Sequence, residues 1–415
     1  MVPGKSAERM SMHRPDVVEA LPRMVVDPPA VPASCRGRLV EHARWQWRPT
    51  DGGDPAAYAE QFLADHGLHL GDLTRPARHH RHKICGAALY LSAAAAALLA
   101  GSPPGAPNPA DLPEVAVVVY AHTKPSTTHP NPPPPWWHSA WTESWTPRQH
   151  TDAISAIRQA IGRGEVYQTN LVGHASAPYT GDPIPALARL GRLPGARYGG
   201  VLTGPGWAIG CASPETLIEV RAGTLTTRPI KGTRPATTTG RTDLLTSPKE
   251  RAEHIMIVDL ERNDLARIAR TGSVRVDELF AVRRWCDLWQ AESTIRADIA
   301  DGLGLADLLR AVCPGGSVTG APKLAALDHI AALEPVGRGA SMGTLGWIGP
   351  DHINLGLTIR TAAVDGNAVH VWAGGGITWD SDPAAEVAEA AAKTTPLRAA
   401  LAPAQPTSQP IASTR

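Results

Sequence analysis

Phenylalanine is nearly missing from this chain of 415 residues: 2 Phe stand against 12 Trp, and alanine and arginine are favoured over isoleucine and lysine. We read that skew as the codon bias of a GC-rich genome, without functional content. An excess of one charge is also missing. The 40 basic and 39 acidic residues leave a net charge of +1, so there is no electrostatic footprint for nucleic acid or for an anionic membrane. The longest apolar run, Ala87 to Ala100 in "AALYLSAAAAALLA", is shorter than the roughly 20 residues a bilayer demands, and it reads as a buried alanine-rich helix. No basic stretch leads into an apolar segment at the start, so no signal peptide is expected. Cysteine is sparse, scattered and odd in number (35, 85, 211, 286, 313), which points to a reducing cytoplasm rather than a disulfide framework. There is no Ser-His-Asp spacing, no HExxH, no CxxC, no dinucleotide fingerprint after a strand and no repeat of fixed period.

What is present is 43% hydrophobic residues, enough for a sizeable core, in a length that suits two or three domains, or one large one, at roughly 150 residues each. Residues 1 to about 40 lack periodicity. Residues 55–66 have helical spacing, and "RHHRHK" at 78–83 reads as a solvated loop rather than a metal site, since it brings no Cys or Asp. "EVAVVVYA" at 114–121 is a buried strand, and "KPSTTHPNPPPPWW" at 124–137 is polyproline II or loop, a connector. From 150 the texture changes. "TDAISAIRQAIGRGEV" is an amphipathic helix with Thr151 or Asp152 as its candidate cap; a strand, a short helix and a glycine-punctuated meander follow. Helices then carry "SPKERAEHIMIVDLERNDLARIAR" and "GLADLLRAV", strands resume, and a last helix holds "PAAEVAEAAAKTTPLRAAL". The tail after it is polar and reads as disordered. Strand runs interspersed with helix runs argue for an α+β fold with antiparallel sheet.

Two acidic pairs stand out. Glu250 and Glu253 are i, i+3, as are Glu386 and Glu389, so each pair shares a helix face; Lys393 lies one turn beyond Glu389. Carboxylates without nearby Cys or His suit a hard cation such as Mg²⁺, completed by an anionic substrate. "CPGGSVTGAPK" at 313–323 has the glycine spacing of a phosphate loop, but Ala321-Pro322 stands where Lys-Ser/Thr is required. It reads instead as a glycine-rich turn into a helix, with Pro322 near the first helical position and backbone N–H groups free to take a carboxylate. The triple glycine of "AGGGIT" signals close approach by a ligand or another chain, and Arg360 in an apolar strand calls for an anion. From residues alone, this is a Mg²⁺-dependent enzyme acting on a small polycarboxylate.

In order, "PIKGT", "SPKERAEHIMIVDLERND", "PGGSVTGAPK", "LTIRTA" and "GGGITWDSDPAAEVAEAAAK" resemble the motifs of chorismate-utilising enzymes, over about 150 to 400. That family includes anthranilate synthase component I, aminodeoxychorismate synthase component I, isochorismate synthase and salicylate synthase. The resemblance implies two packed antiparallel β-sheets flanked by helices, a variable portion at 1–149, a chorismate-binding catalytic region at 150–400 and a tail at 401–415. It implies Mg²⁺ on Glu253 and Glu389, with Glu250 and Glu386 beside them. It makes Arg360 the holder of the enolpyruvyl carboxylate, places carboxylates on the backbone at Gly320, Ala321, Gly374 and Gly376 near Lys393, makes Glu215 the general acid for the C4 hydroxyl, and puts Thr233 in the ring pocket.

Two positions sort the reactions within the family. The water-adding members use a lysine base where this chain has Gln168, which cannot deprotonate water, so ammonia is the expected nucleophile. Anthranilate synthases carry Pro-Ile-Ala-Gly-Thr, whereas aminodeoxychorismate synthases carry Pro-Ile-Lys-Gly-Thr, as here at Lys231. The resemblance therefore implies amination of chorismate at C4 through a lysine nucleophile. Departures are Gln290 in place of a family histidine, Ser341 in place of a ring-side tyrosine, and no Leu-Leu-Glu-Ser inhibitor motif. No glycine-cysteine-glycine nucleophile elbow is present, so ammonia is expected from a separate glutamine amidotransferase subunit. An ortho-aminating member and a non-catalytic binding relative are the competing readings.

Overall fold

The structure, a computed structural model, describes residues 27–75, 84–123 and 134–403. The "RHHRHK" loop, most of the proline-rich connector and most of the tail lie outside the described residues. The first part runs β1 (Leu39–Trp47), α1 (Pro55–Asp65), β2 (Ile84–Leu91), α2 (Ala93–Leu99), β3 (Val115–His122), β4 (Trp137–His138), β5 (Thr142–Glu143) and α3 (Pro147–Gly162). Then come β6 (Gln168–Thr180), α4 (Ile184–Leu190) and a meander of β7 (Tyr198–Gly204), β8 (Trp207–Ser213), β9 (Thr216–Arg221), β10 (Thr224–Arg228) and β11 (Ile230–Pro235). Helices α5 (Thr238–Thr246) and α6 (Pro248–Ala266), strands β12 (Arg275–Trp285) and β13 (Leu288–Asp298), and α7 (Leu305–Val312) follow. The chain ends with β14 (Gly320–Ala321), α8 (Lys323–Leu333), β15 (Thr344–Ile348), β16 (His352–Leu357), β17 (Thr361–Val364), β18 (Ala368–Ile377) and α9 (Pro383–Leu401).

The strands form two antiparallel sheets. The larger has the order β1-β3-β2-β15-β16-β9-β10-β13-β11, with β12 on the free side of β13; the smaller has β14-β6-β18-β17-β8-β7, with β4 and β5 against β6. Strands β1, β2 and β3 therefore complete the larger sheet: β2 pairs with β15, bringing Leu89 opposite Gly346. The main core joins residues of both sheets, such as Leu89, Val117, Leu345 and Leu355 of the larger with Val172, Ile209 and Trp372 of the smaller.

Two local expectations are corrected. Ala87–Ala100 is not one helix. Its first half is β2, buried on both faces, and Ser92 then caps α2 by accepting from Ala95 N at 3.0 Å. A continuous apolar run cannot separate buried strand from buried helix by periodicity. Helix α3 begins not at Thr151 but at Pro147, where Thr146 and Gln149 form a reciprocal capping box. The glycine-rich turn does lead into a helix, with Pro322 as the cap of α8, next to its first residue Lys323.

Candidate functional site

One cavity opens between the sheets. The larger sheet supplies β11, the smaller supplies β18, and the starts of α6 and α9 close it. Both helices are set by their caps. Ser247 accepts from Glu250 N and Pro248 opens α6; Asp382 accepts from Ala385 N at 2.8 Å and Pro383 opens α9. Each helix thus begins within a turn of its glutamate pair, and Glu250, Glu253, Glu386 and Glu389 all line the cavity.

Lys231 reaches the cavity because β11 is bulged there. Lys231 lies opposite Ala291 and Thr233 opposite Gln290, so Gly232 is the extra residue. Its φ of +79° is a conformation glycine adopts without strain, and a Cβ there would sit 2.8 Å from both Glu250 and Leu244. The Lys231 ammonium donates to Ser317 O at 3.1 Å. Burial pushes its pKa below the usual 10.5, against the opposing pull of Glu253 and Glu215. On the facing strand, a Cβ on Gly376 would come within 2.3 Å of Gln168 Nε2 and 2.8 Å of Lys231 Nζ. Gln168 is fully buried, and neither its amide nitrogen nor its amide oxygen has a hydrogen-bond partner.

Glu215 is 3% exposed, and burial pushes its carboxyl up to about 7 although Ser317 Oγ (2.6 Å) and Ile230 N (3.2 Å) both donate to it. A carboxyl poised there is able to give a proton at neutral pH. Arg360 is buried at 6% exposure, stacks over Trp285 at 4.6 Å, and has no carboxylate within ion-pair distance among the described residues. Burial pushes it down to about 10. A buried guanidinium without an internal anion fits a substrate carboxylate.

The carboxylates differ. Burial raises Glu253, which accepts from Thr378 Oγ1 at 2.8 Å, and raises Glu386, which accepts from Ser381 Oγ at 2.7 Å. Burial also pushes Glu389 up, but Lys393 at 2.7 Å outweighs it and holds the carboxyl below its usual range. Glu250 pairs with Arg234 at 2.7 Å. Among the described residues, no three of these glutamates bring ligand atoms within 4.8 Å of one another.

Of the residues named from sequence, Lys231, Glu215, Arg360, Thr233, Gly374, Gly376, Lys393 and the four glutamates line this cavity. Gln168 abuts it behind Gly376. Gly320 and Ala321 do not line it: β14 spends their backbone on pairing with Thr169 and Gln168 of β6. Ser341 lies off the cavity too, donating to Thr358 O. Sequence reasoning passed over Ser317, which touches both Lys231 and Glu215, and His254, buried beside Lys231, with Nε2 at 2.5 Å from Ser293 Oγ. Burial, then the Lys231 charge, pushes His254 down to about 4. It also passed over the lock that holds the "PGGSVTGAPK" loop on α6. There Glu261 accepts from Gly316 N at 3.0 Å and Asp264 pairs with Lys323 at 2.6 Å. The acidic and basic partners are visible in the two motifs; their pairing across 59 residues is not.

Residues 72–399 match the chorismate binding enzyme family. The chain belongs to that family. It is similar to aminodeoxychorismate synthase component 1 of Bacillus subtilis (34% identical over 297 residues, 70% of this chain and 61% of that one) and of Klebsiella aerogenes (40% over 258 residues, 60% and 57%). It is also similar to anthranilate synthase component 1 of Streptomyces coelicolor (39% over 257 residues, 60% and 50%). The chain spans about half to three-fifths of the length of these curated relatives. The crystal structure of anthranilate synthase component I from Streptococcus pneumoniae superposes with a TM-score of 0.72 at 23% identity, covering 94% of this chain and 95% of that one, which establishes the shared fold. In this family member, no described helix is long and apolar enough to cross a membrane.

Proposed function

We propose that this chorismate-binding enzyme aminates chorismate at C4 with ammonia, giving 4-amino-4-deoxychorismate. The observation that carries the reading is Lys231, an amine with a lowered pKa that the Gly232 bulge turns into the cavity, within one hydrogen-bonded residue, Ser317, of Glu215, whose carboxyl burial raises to about 7.

In this reading Arg360 and the cavity lysine Lys393 orient the carboxylates of the substrate. Glu215 protonates the C4 hydroxyl as it departs as water. The Lys231 amine bonds to C2 as that C–O bond breaks and the ring double bond shifts. Ammonia then bonds to C4, the double bond shifts back, and the C2–N bond to Lys231 breaks, which restores the amine. Gln168, with its amide unpartnered beside Lys231, holds ammonia and cannot act as a base for water. The donor set fits Mg²⁺: hard oxygens only, with no three of the four carboxylates close enough to enclose an ion without a substrate oxygen. Glu253 and Glu389, with Glu250 and Glu386 beside them, would hold it, and when bound it would screen the charge of the substrate carboxylate. Ammonia would come from a separate glutamine amidotransferase subunit or from solution.

Product analysis tests this. The purified chain is given chorismate, Mg²⁺ and ammonium, and the product is identified by liquid chromatography with mass detection. Chorismate with its hydroxyl replaced by an amine, which a lyase converts to 4-aminobenzoate, is expected. Anthranilate refutes the reading and makes the 39% likeness to anthranilate synthase the better guide. No conversion, even with a glutaminase partner and glutamine, refutes it in favour of a binding role.

A further inference from the structure

Away from this cavity, two cysteines and a histidine from three different elements meet at the edge of the larger sheet. Cys35 ends a tight turn, with its N–H donating to Pro32 O at 2.9 Å. Cys85 is the unpaired residue of a bulge in β2: Ile84 lies opposite Ala121 and Gly86 opposite Tyr120. His122 closes β3, opposite Leu39. A ring nitrogen of His122 and the two sulfurs all lie within 4.8 Å of one another, and among the described residues no other group of three or more such ligand atoms does. Cys35 is buried, Cys85 half-buried and His122 exposed, so the cluster is anchored on one side and reachable on the other. It faces an open cavity whose far wall carries Asp351, His352 and Asn354, and none of these residues lines the cavity of Lys231.

We propose that Cys35, Cys85 and His122 bind a divalent ion of borderline softness, Zn²⁺ by chemical class, with the fourth position open to the cavity. Two sulfurs and an imidazole are the donors such an ion prefers. Both cysteines are free, with their sulfurs 2.8 Å apart. On a tetrahedral ion with Zn–S bonds of about 2.3 Å they would stand roughly 3.8 Å apart, so they part by about 1 Å. Rotation of the half-buried Cys85 side chain supplies that movement. A bulge re-aims one side chain without disturbing the rest of its strand, and here it aims a thiol at a second thiol. A disulfide would use the two sulfurs and leave the histidine without a role; a metal ion uses all three. Binding releases both thiol protons to solvent. The ion would tie the segment before β1 to β2 and β3. That segment already reaches the smaller sheet, where Val201 N donates to Asp27 O at 2.9 Å.

The test uses the full chain, reduced and stripped of metal, with Co²⁺ as the probe. One equivalent should bind with thiolate-to-cobalt charge-transfer absorption, which the oxygen-donor glutamates cannot produce, and Zn²⁺ should erase it. Cys35→Ser and Cys85→Ser should each reduce or abolish the band. His122→Ala changes an exposed residue and leaves the fold intact; it should weaken binding by more than the roughly 10–100-fold typical of second-shell changes. A folded, reduced chain that shows no such band overturns the proposal, as does a band that survives in the Cys35→Ser/Cys85→Ser double variant. Unchanged affinity in His122→Ala overturns it as well. So does a chain that forms a Cys35–Cys85 disulfide under mild oxidation but takes up no Co²⁺ when reduced.

Discussion

Replacing Glu215 by Gln separates the acid from the cavity it sits in. The carboxyl is raised from the ordinary 4.5 to about 7, chiefly by burial. Well below 4.5 it is protonated in the folded and unfolded chains alike, and its burial has no pH-dependent cost. Between 4.5 and 7 the unfolded chain releases the proton while the folded chain keeps it, so stability falls as pH rises. Above 7 the loss is complete, about 3 kcal/mol at about 1.36 kcal/mol per pH unit. Glutamine has the same shape, never ionises, and still offers an oxygen to Ser317 Oγ and Ile230 N. Urea unfolding should therefore show Glu215→Gln more stable than the parent by about 3 kcal/mol at about pH 8, with the gap nearly closed at pH 4.5. Turnover of chorismate should fall by roughly 10²–10⁴-fold, because the leaving hydroxyl loses its proton donor. The parent's rate should decline through pH 7 as Glu215 ionises. A stability difference equal at both pH values would show that burial does not set this carboxyl. Full turnover in the variant would remove Glu215 from the chemistry.

Lys231→Ala should lower formation of the aminated product by roughly 10³-fold or more in the product assay, and Lys231→Arg, which keeps the charge but not the nucleophile, should not rescue it. Full-rate formation in either variant would make the lysine structural. Gly376→Ala places a Cβ within 2.3 Å of Gln168 Nε2 and 2.8 Å of Lys231 Nζ; the tips of both side chains must move, so unfolding should register about 1–3 kcal/mol and kcat should drop more than KM rises. Lys323→Ala strips the cation from the buried Asp264 beside Glu261, and chemical unfolding should register a loss of about 3–5 kcal/mol. A loss below about 1 kcal/mol would mean the pair does not hold the loop.

Much of the site is local and was therefore legible. A cap, a first-turn proline and i, i+3 glutamates are properties of a single helix, so "SPKERAEHI" and "SDPAAEVAEAAAK" specify both the helices and the faces on which the acids sit. "PIKGT" likewise carries its own bulge, because Gly232 supplies the backbone conformation that turns Lys231 into the cavity. Pairing at long range was not legible. The sequence shows apolar residues at 87–91 but not that β15, more than 250 residues later, makes them a strand. It offers Gly320 and Ala321 as free donors, where the register with β6 has already engaged them. Ser317 and His254 became neighbours of Lys231 only when two sheets and a helix closed on one another. Local sequence thus determined which groups this protein can present. Tertiary structure decided which of them are desolvated together, and desolvation is what raises Glu215 and lowers both Lys231 and Arg360.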